Sequence, residues 1–353
     1  MEIMLHLGAH RSASTSFQTY LWNNRDRLAK RGLTTWIPKR TRDGLLAGLF
    51  RNPAKISVED ERKAIRSVGR VRLEIERLRR AGQDGLLISE ENMLGSMRNN
   101  VVQTRLYPLA GERLMRFQPM FADRKLRIAL CIRSYEDYWA SCMASLIGRG
   151  GDVPCVDTLD FLTTQPRRWR HVIRDIATCY PDAQITVWPF ERMAGRADVQ
   201  LGALWGGELG DLGSHDIWRC RSANLVRLND MMALRGERAI VDGTLTADAR
   251  WMPFDEDQRS VLRAEYRRDL AWLTAGAEGL ATYFDGPLAP IEHSGDVRTT
   301  YAPTTTTPKN SGQIMPASQP DRAEVTTPRV DIAALLGGRH DGIKERLDRT
   351  GAS

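Results

Sequence analysis

The sequence predicts an α/β protein in which a parallel sheet is flanked by helices and followed by a disordered C-terminal tail. Short apolar runs alternate with segments of helical period from Glu2 to Tyr283, and polar residues begin where the runs end. The composition then shifts to Thr, Pro, Ser and Gln between Gly295 and Arg329, too polar to bury a core. These observations divide the chain into an α/β domain over 1–290 and a Thr/Pro-rich tail over 291–353.

Glu2 to Gly8 is a brief apolar run ending in glycine. A loop of small polar residues follows, then a segment with Phe17, Tyr20, Leu21 and Leu28 at helical spacing. Leu33 to Pro38 reads as a second short strand stopped by proline, so the chain opens with a β-α-β unit. Arg40 to Pro53 has no strong period and reads as a loop with a short helix. Ser57 and Asp60 form a variant capping box, which predicts a long charged helix running to about Ala81. Gly85 to Ser89 is an apolar strand leading into Glu90 and Glu91. Leu126 to Ile132 is the clearest strand of the middle, followed by Arg133, Ser134 and a helix through Tyr138, Trp139, Met143 and Leu146. Gln184 to Pro189 is another strand, feeding Phe190 to Met193 and a further helix. Residues near 215–235 and 254–283 read as helices, the latter with Leu262, Tyr266, Leu270 and Leu273 on one stripe. Within the tail, Ile332 to Leu347 keeps a weak helical pattern suited to a short helix or a fraying end.

With 353 residues, 42% hydrophobic and 27% charged, the chain can bury a sizeable core and has the balance of a water-soluble protein. Its formal charge of +7, carried mostly by Arg, predicts affinity for anions, because guanidinium groups fork onto phosphates. The basic residues are dispersed and form no nucleic-acid module. Met1 is followed by Glu2 and a short apolar run, without a basic leader or a stretch long enough to span a bilayer. The five cysteines are odd in number and lack metal-ligand spacing, as expected for reduced thiols in a cytoplasmic protein.

The segment Gly8-Ala9-His10-Arg11-Ser12-Ala13-Ser14-Thr15 lies between a strand and a helix N-terminus, where backbone N–H groups and the helix dipole converge on one point and attract phosphate. Set against the nucleoside-triphosphate pattern G-x-x-x-x-G-K-[ST], only Gly8 and Thr15 match; Ala13 takes the second glycine and Ser14 the lysine. Hydrolysis of ATP or GTP calls for that lysine on the terminal phosphates. A cation stands instead inside the loop at Arg11, able to fork onto a nucleotide 5′-phosphate or a group attached to it.

The string from His6 to Gln18 resembles the 5′-phosphosulfate loop of bacterial sulfotransferases that use 3′-phosphoadenosine 5′-phosphosulfate (PAPS), usually H-x-G-x-x-K-[ST]-G-[ST]-T-x-x-Q. Arg11 for Lys and Ala13 for Gly are the departures: Arg keeps the charge but gives up a proton reluctantly, and Ala disfavours a positive φ. A second similarity is an arginine ending a central strand with a serine eight positions on, here Arg133 and Ser141. Val187 to Met193 further resembles the family's late strand, with Glu191 structural, and Cys220 to Asn224 resembles a late polar segment that closes over the nucleotide.

The resemblance covers roughly residues 1–235 and implies a P-loop-type sheet. It implies that Arg11, Ser12, Ala13, Ser14 and Thr15 cradle the 5′ end of PAPS, with Arg11 also catalytic by stabilising the charge that grows on the leaving phosphate, that Arg133 and Ser141 hold the 3′-phosphate, and that Arg221 helps to close the site. The product would be 3′-phosphoadenosine 5′-phosphate (PAP), and the partner a small-molecule, lipid or glycan acceptor.

Transfer to a hydroxyl or amine needs a base facing the loop. Glu90 and Glu91 satisfy the topology, and strand alternation sends them to opposite sides, with Glu90 slightly preferred. His10 competes for the role from within the loop, whereas His6 reads as a core residue. Arg40, Arg42 and Asp43 read as exposed loop charges near the acceptor. A kinase of the same architecture and a non-catalytic PAP-binding module are the alternatives.

Overall fold

The computed structural model describes residues 1–206, 212, 222–240 and 250–286. The tail expected over 291–353, with its short helix, lies outside the described residues, as does Arg221. Six strands form one all-parallel sheet: β1 (Glu2–His6), β2 (Leu33–Trp36), β3 (Gly85–Ser89), β4 (Leu126–Ile132), β5 (Gln184–Pro189) and β6 (Thr282–Tyr283). Their order is β2-β3-β1-β4-β5-β6. From β1 the chain leaves toward one edge and from β4 toward the other, so the ends of these two neighbours flank a topological switch point, where open α/β sheets bind ligands.

Helices cover both faces because each strand is apolar on both. Met4, Leu87, Ala129, Cys131 and Trp188 face one layer, where Phe17, Tyr20, Leu21 and Leu28 of α1 (Ser14–Lys30) meet Leu201 and Leu204. Each of these large α1 side chains is buried, an arrangement that stabilises by about 1.5–3 kcal/mol per residue. The alternate residues Ile3, Leu5, Leu86, Ile88, Ile128 and Leu130 face the opposite layer. That layer includes the helices Val58–Arg80, Tyr135–Ile147, Trp169–Cys179 and Glu256–Thr274.

The helix Val58–Arg80 begins at the expected capping box, in which Ser57 Oγ accepts from Asp60 N and Asp60 accepts from Ser57 N. The helix expected near 254–283 is shorter. It ends at Thr274, Gly276 turns the chain at φ 96°, and Thr282–Tyr283 pair with β5 as the sheet's last strand. A β-carbon costs little in a right-handed helix but much at that φ, so glycine ends the helix there. Sequence reasoning assigned nothing to Trp169–Cys179, although Trp169, Val172, Ile173 and Ile176 form a legible stripe and all are buried.

Candidate functional site

The loop after β1 stays zipped to β4 beyond the strand's end: Leu7 N donates to Ala129 O at 2.9 Å and Ala9 N to Cys131 O at 3.0 Å. Gly8 has φ 88°, and a β-carbon there would fall 2.8 Å from Glu91 Cβ, so only glycine lets β1's loop pass Glu91, two residues beyond β3. Arg11 and Ala13 then take left-handed backbones at φ 60° and 62°. Ala13 is the N-cap of α1 and offers no side-chain cap. The amides of Ser12, Ala13, Ser14 and Thr15 donate to no main-chain carbonyl among the described residues, leaving a set of N–H groups at the positive end of a seventeen-residue helix. Ser12 is buried and spends its hydroxyl on Ala9 O at 2.6 Å, which holds the loop together. Ser14 is buried and Thr15 half-buried at the helix start.

Arg11, Arg133 and Ser141 come together. Arg11 Nε donates to Ser141 Oγ at 2.9 Å and Arg11 Nη2 to Ser222 Oγ at 3.1 Å, while the two serine hydroxyls lie 2.6 Å apart. Arg133 Nη1 donates to the carbonyl of Arg11 at 2.6 Å, and its guanidinium lies 4.1 Å over the Phe190 ring. Arg133 is buried, and its Nε has no hydrogen-bond partner among the described residues. Burial, reinforced by the charge of Arg250, lowers its pKa to about 10. Arg250 is anchored by Asp137, through Oδ1 at 2.5 Å and the carbonyl at 2.8 Å. Arg250 is thus neutralised in part by Asp137, while the buried Arg133 makes no salt bridge among the described residues and keeps a donor that suits an anion.

The carboxylates after β3 diverge. Glu90 is fully buried and accepts from Thr41 Oγ1 at 2.5 Å, Arg42 Nη2 at 2.6 Å and Asn92 N at 3.1 Å, so its oxygens are committed to holding the segment after β2. Glu91 lies beside the loop, accepting from Gln18 Nε2 at 2.8 Å and Arg42 Nη2 at 2.8 Å. Burial works to raise its pKa, but the neighbouring His10 and the charge and hydrogen bond of Arg42 outweigh that and hold it below the ordinary range. Arg42 therefore bridges both carboxylates instead of standing free as a loop charge.

Both ring nitrogens of His10 are engaged. Nδ1 lies 2.8 Å from Tyr107 Oη, which also accepts from His10 N at 2.9 Å, and Nε2 lies 3.1 Å from the Asn92 amide. Burial lowers the imidazole pKa despite the nearby Glu91, which keeps the ring neutral. With Asn92 turned about its amide, its nitrogen donates to Nε2 and its oxygen accepts from Arg42, and Nδ1–H then donates to Tyr107; either orientation suits one neutral tautomer. His6 is a core residue, as expected: buried, 2.8 Å from Ser89 Oγ, and packed edge-on against Phe17.

Glu191 accepts from Ser134 N and Tyr266 Oη, both at 2.8 Å, a structural role. Asn224 accepts from Arg227 N as the N-cap of Leu225–Ala233. Sequence reasoning did not single out Ser222, Arg250 or Tyr107. Ser222 sits in the segment 220–224, in which sequence reasoning singled out Arg221 and Asn224, whereas the neighbours of Arg250 and Tyr107 carry no local pattern; all three reach the site only because distant segments fold beside the loop. Comparison with known proteins adds no relative: no family model, no curated protein and no solved structure matches the chain. No helix among the described residues is long and apolar enough to cross a membrane.

Proposed function

We propose that this chain is a sulfotransferase that moves a sulfuryl group from PAPS to a hydroxyl or amine of a small-molecule, lipid or glycan acceptor, acting in the cytoplasm. The observation that carries the proposal is the meeting of Arg11, Arg133 and Ser141, read as nucleotide ligands from separate parts of the sequence, at the ends of β1 and β4. The unpaired amides at the start of α1 and the unpartnered Nε of Arg133 fit phosphate groups.

In the proposed reaction the acceptor oxygen or nitrogen attacks sulfur in line. The bond from sulfur to the bridging oxygen of the 5′-phosphate breaks, and its electron pair stays on the phosphate of PAP. The amides of Ser12 to Thr15, with the hydroxyls of Ser14 and Thr15, would stabilise that growing charge. The acceptor's proton would pass to Glu91. We assign the base to Glu91 and not to Glu90, because Glu90 is enclosed and fully hydrogen-bonded whereas Glu91 adjoins the loop and is held ionised. His10, with both nitrogens engaged, would orient the loop and carry no proton.

The test combines a thermal-shift comparison of PAP with ATP plus Mg²⁺ and a PAPS-dependent sulfation assay over hydroxyl and amine acceptors. A rise in melting temperature with PAP alone, together with sulfation, is expected. Stabilisation by ATP and Mg²⁺ alone would transfer the chain to the kinases. PAP binding without turnover on any acceptor would favour a binding module.

A further inference from the structure

Resting on that reading, we propose that Arg11 recognises the nucleotide's remote 3′-phosphate, not the phosphate that carries the sulfuryl group, and so makes this site selective for a bisphosphate.

Arg11 belongs to the loop that begins the 5′ subsite, yet its guanidinium is spent elsewhere. Nε and Nη2 reach Ser141 and Ser222, and Ser141 lies six residues into the helix Tyr135–Ile147, about 9 Å along its axis from the first residue. The same cluster receives Arg133, which grips the Arg11 carbonyl and keeps a buried Nε–H without a described partner. Arg250 adds a second charge to its field. An anion arriving at the two hydroxyls would meet the Arg11 fork there, in the field of the buried Arg133 that holds the Arg11 carbonyl.

The start of α1 is built differently. Its donors are main-chain amides, its first turn carries no acidic residue, and Ala13 contributes no side-chain cap. Amide dipoles bind one phosphate there without a side-chain cation. The loop thus serves two anion points: its backbone one, and the Arg11 side chain the other. A ligand that fills both carries two separated anionic groups, and removing Arg11 should cost the second group while sparing the first.

Isothermal titration of PAP and 5′-AMP into the full chain and its Arg11→Ala and Ser222→Ala variants tests this, with thermal melts to verify folding. We expect the wild type to prefer PAP, Arg11→Ala to lose about 30-fold in PAP affinity, and 5′-AMP affinity to change less than about threefold. Ser222→Ala should move PAP alone in the same direction, by roughly fivefold, and stands in if Arg11→Ala fails to fold. Equal losses for PAP and 5′-AMP in either variant would place Arg11 on the 5′-phosphate and overturn the proposal. Wild-type protein that binds neither nucleotide would overturn the nucleotide reading itself, a separate failure.

Discussion

Replacing Ala13 by glycine should stabilise the protein. Ala13 holds φ 62° and ψ 16°, a left-handed conformation that costs an L-residue about 1–2 kcal/mol and glycine almost nothing. Glycine's greater freedom in the unfolded chain returns about 0.5–1 kcal/mol of that. Ala is also a poor N-cap, whereas Gly is tolerated there. The net gain is about 0.5–1 kcal/mol, which for a domain of this size raises the melting temperature by about 1–2 °C. Urea unfolding followed by far-ultraviolet circular dichroism reads the change as a shift in midpoint at constant slope. Ala271→Gly, on the exposed side of Glu256–Thr274 where the backbone is right-handed, is the control and should lose up to about 1 kcal/mol. If Ala13→Gly destabilised as the control does, the left-handed backbone could not be the source of strain and the reasoning would fail.

Other perturbations separate structural from chemical roles. Glu90→Ala should destabilise by about 2–3 kcal/mol in denaturant titrations, less than for a wholly buried pair because Arg42 is 41% exposed and can turn to water. Glu91→Gln gives up a carboxylate held ionised beside Arg42 and should lower the melting point by about 2–4 °C, and it should lower sulfation turnover by about 10²–10⁴-fold; unchanged turnover would remove Glu91 as the base. Tyr107→Phe leaves the half-buried His10 N–H without its acceptor, which should cost about 1 kcal/mol and weaken PAP binding; a variant as stable as wild type would discount the contact. Burial lowers the His6 imidazole to about 4 from its ordinary 6.5, so the unfolded chain takes up the proton first as pH falls. That contribution is complete above pH 6.5 and is lost on descending toward pH 4, about 3 kcal/mol in all, and His6→Gln should flatten the dependence of the urea midpoint on pH over that window.

Local chemistry made much of the fold legible. The strands Gly85–Ser89, Leu126–Ile132 and Gln184–Pro189 stand where their apolar runs lie, because a strand buried on both faces needs an unbroken apolar run. The capping box at Ser57 and the stripe on α1 are likewise properties of neighbours in sequence. The loop from Gly8 to Thr15 declared itself by composition, and its two departures have structural counterparts: Ala13 carries the left-handed φ, and the Arg11 guanidinium reaches across to Ser141.

What lay beyond the sequence was which partner each side chain would meet. Glu90 and Glu91 are equivalent as written, and only the packing of the segment after β2, through Thr41 and Arg42, encloses the first and leaves the second beside the loop. Tyr107, Ser222 and Arg250 reach the site from 97 to 211 residues away along the chain, across separations at which periodicity carries no information. Secondary structure follows from spacing within a few residues, so the sequence by itself determined most of the strands, the α1 and Val58–Arg80 helices and the small-residue loop between β1 and α1. Contacts between remote segments depend on how those elements stack, so only the tertiary structure decided which carboxylate, hydroxyl and guanidinium the loop would meet.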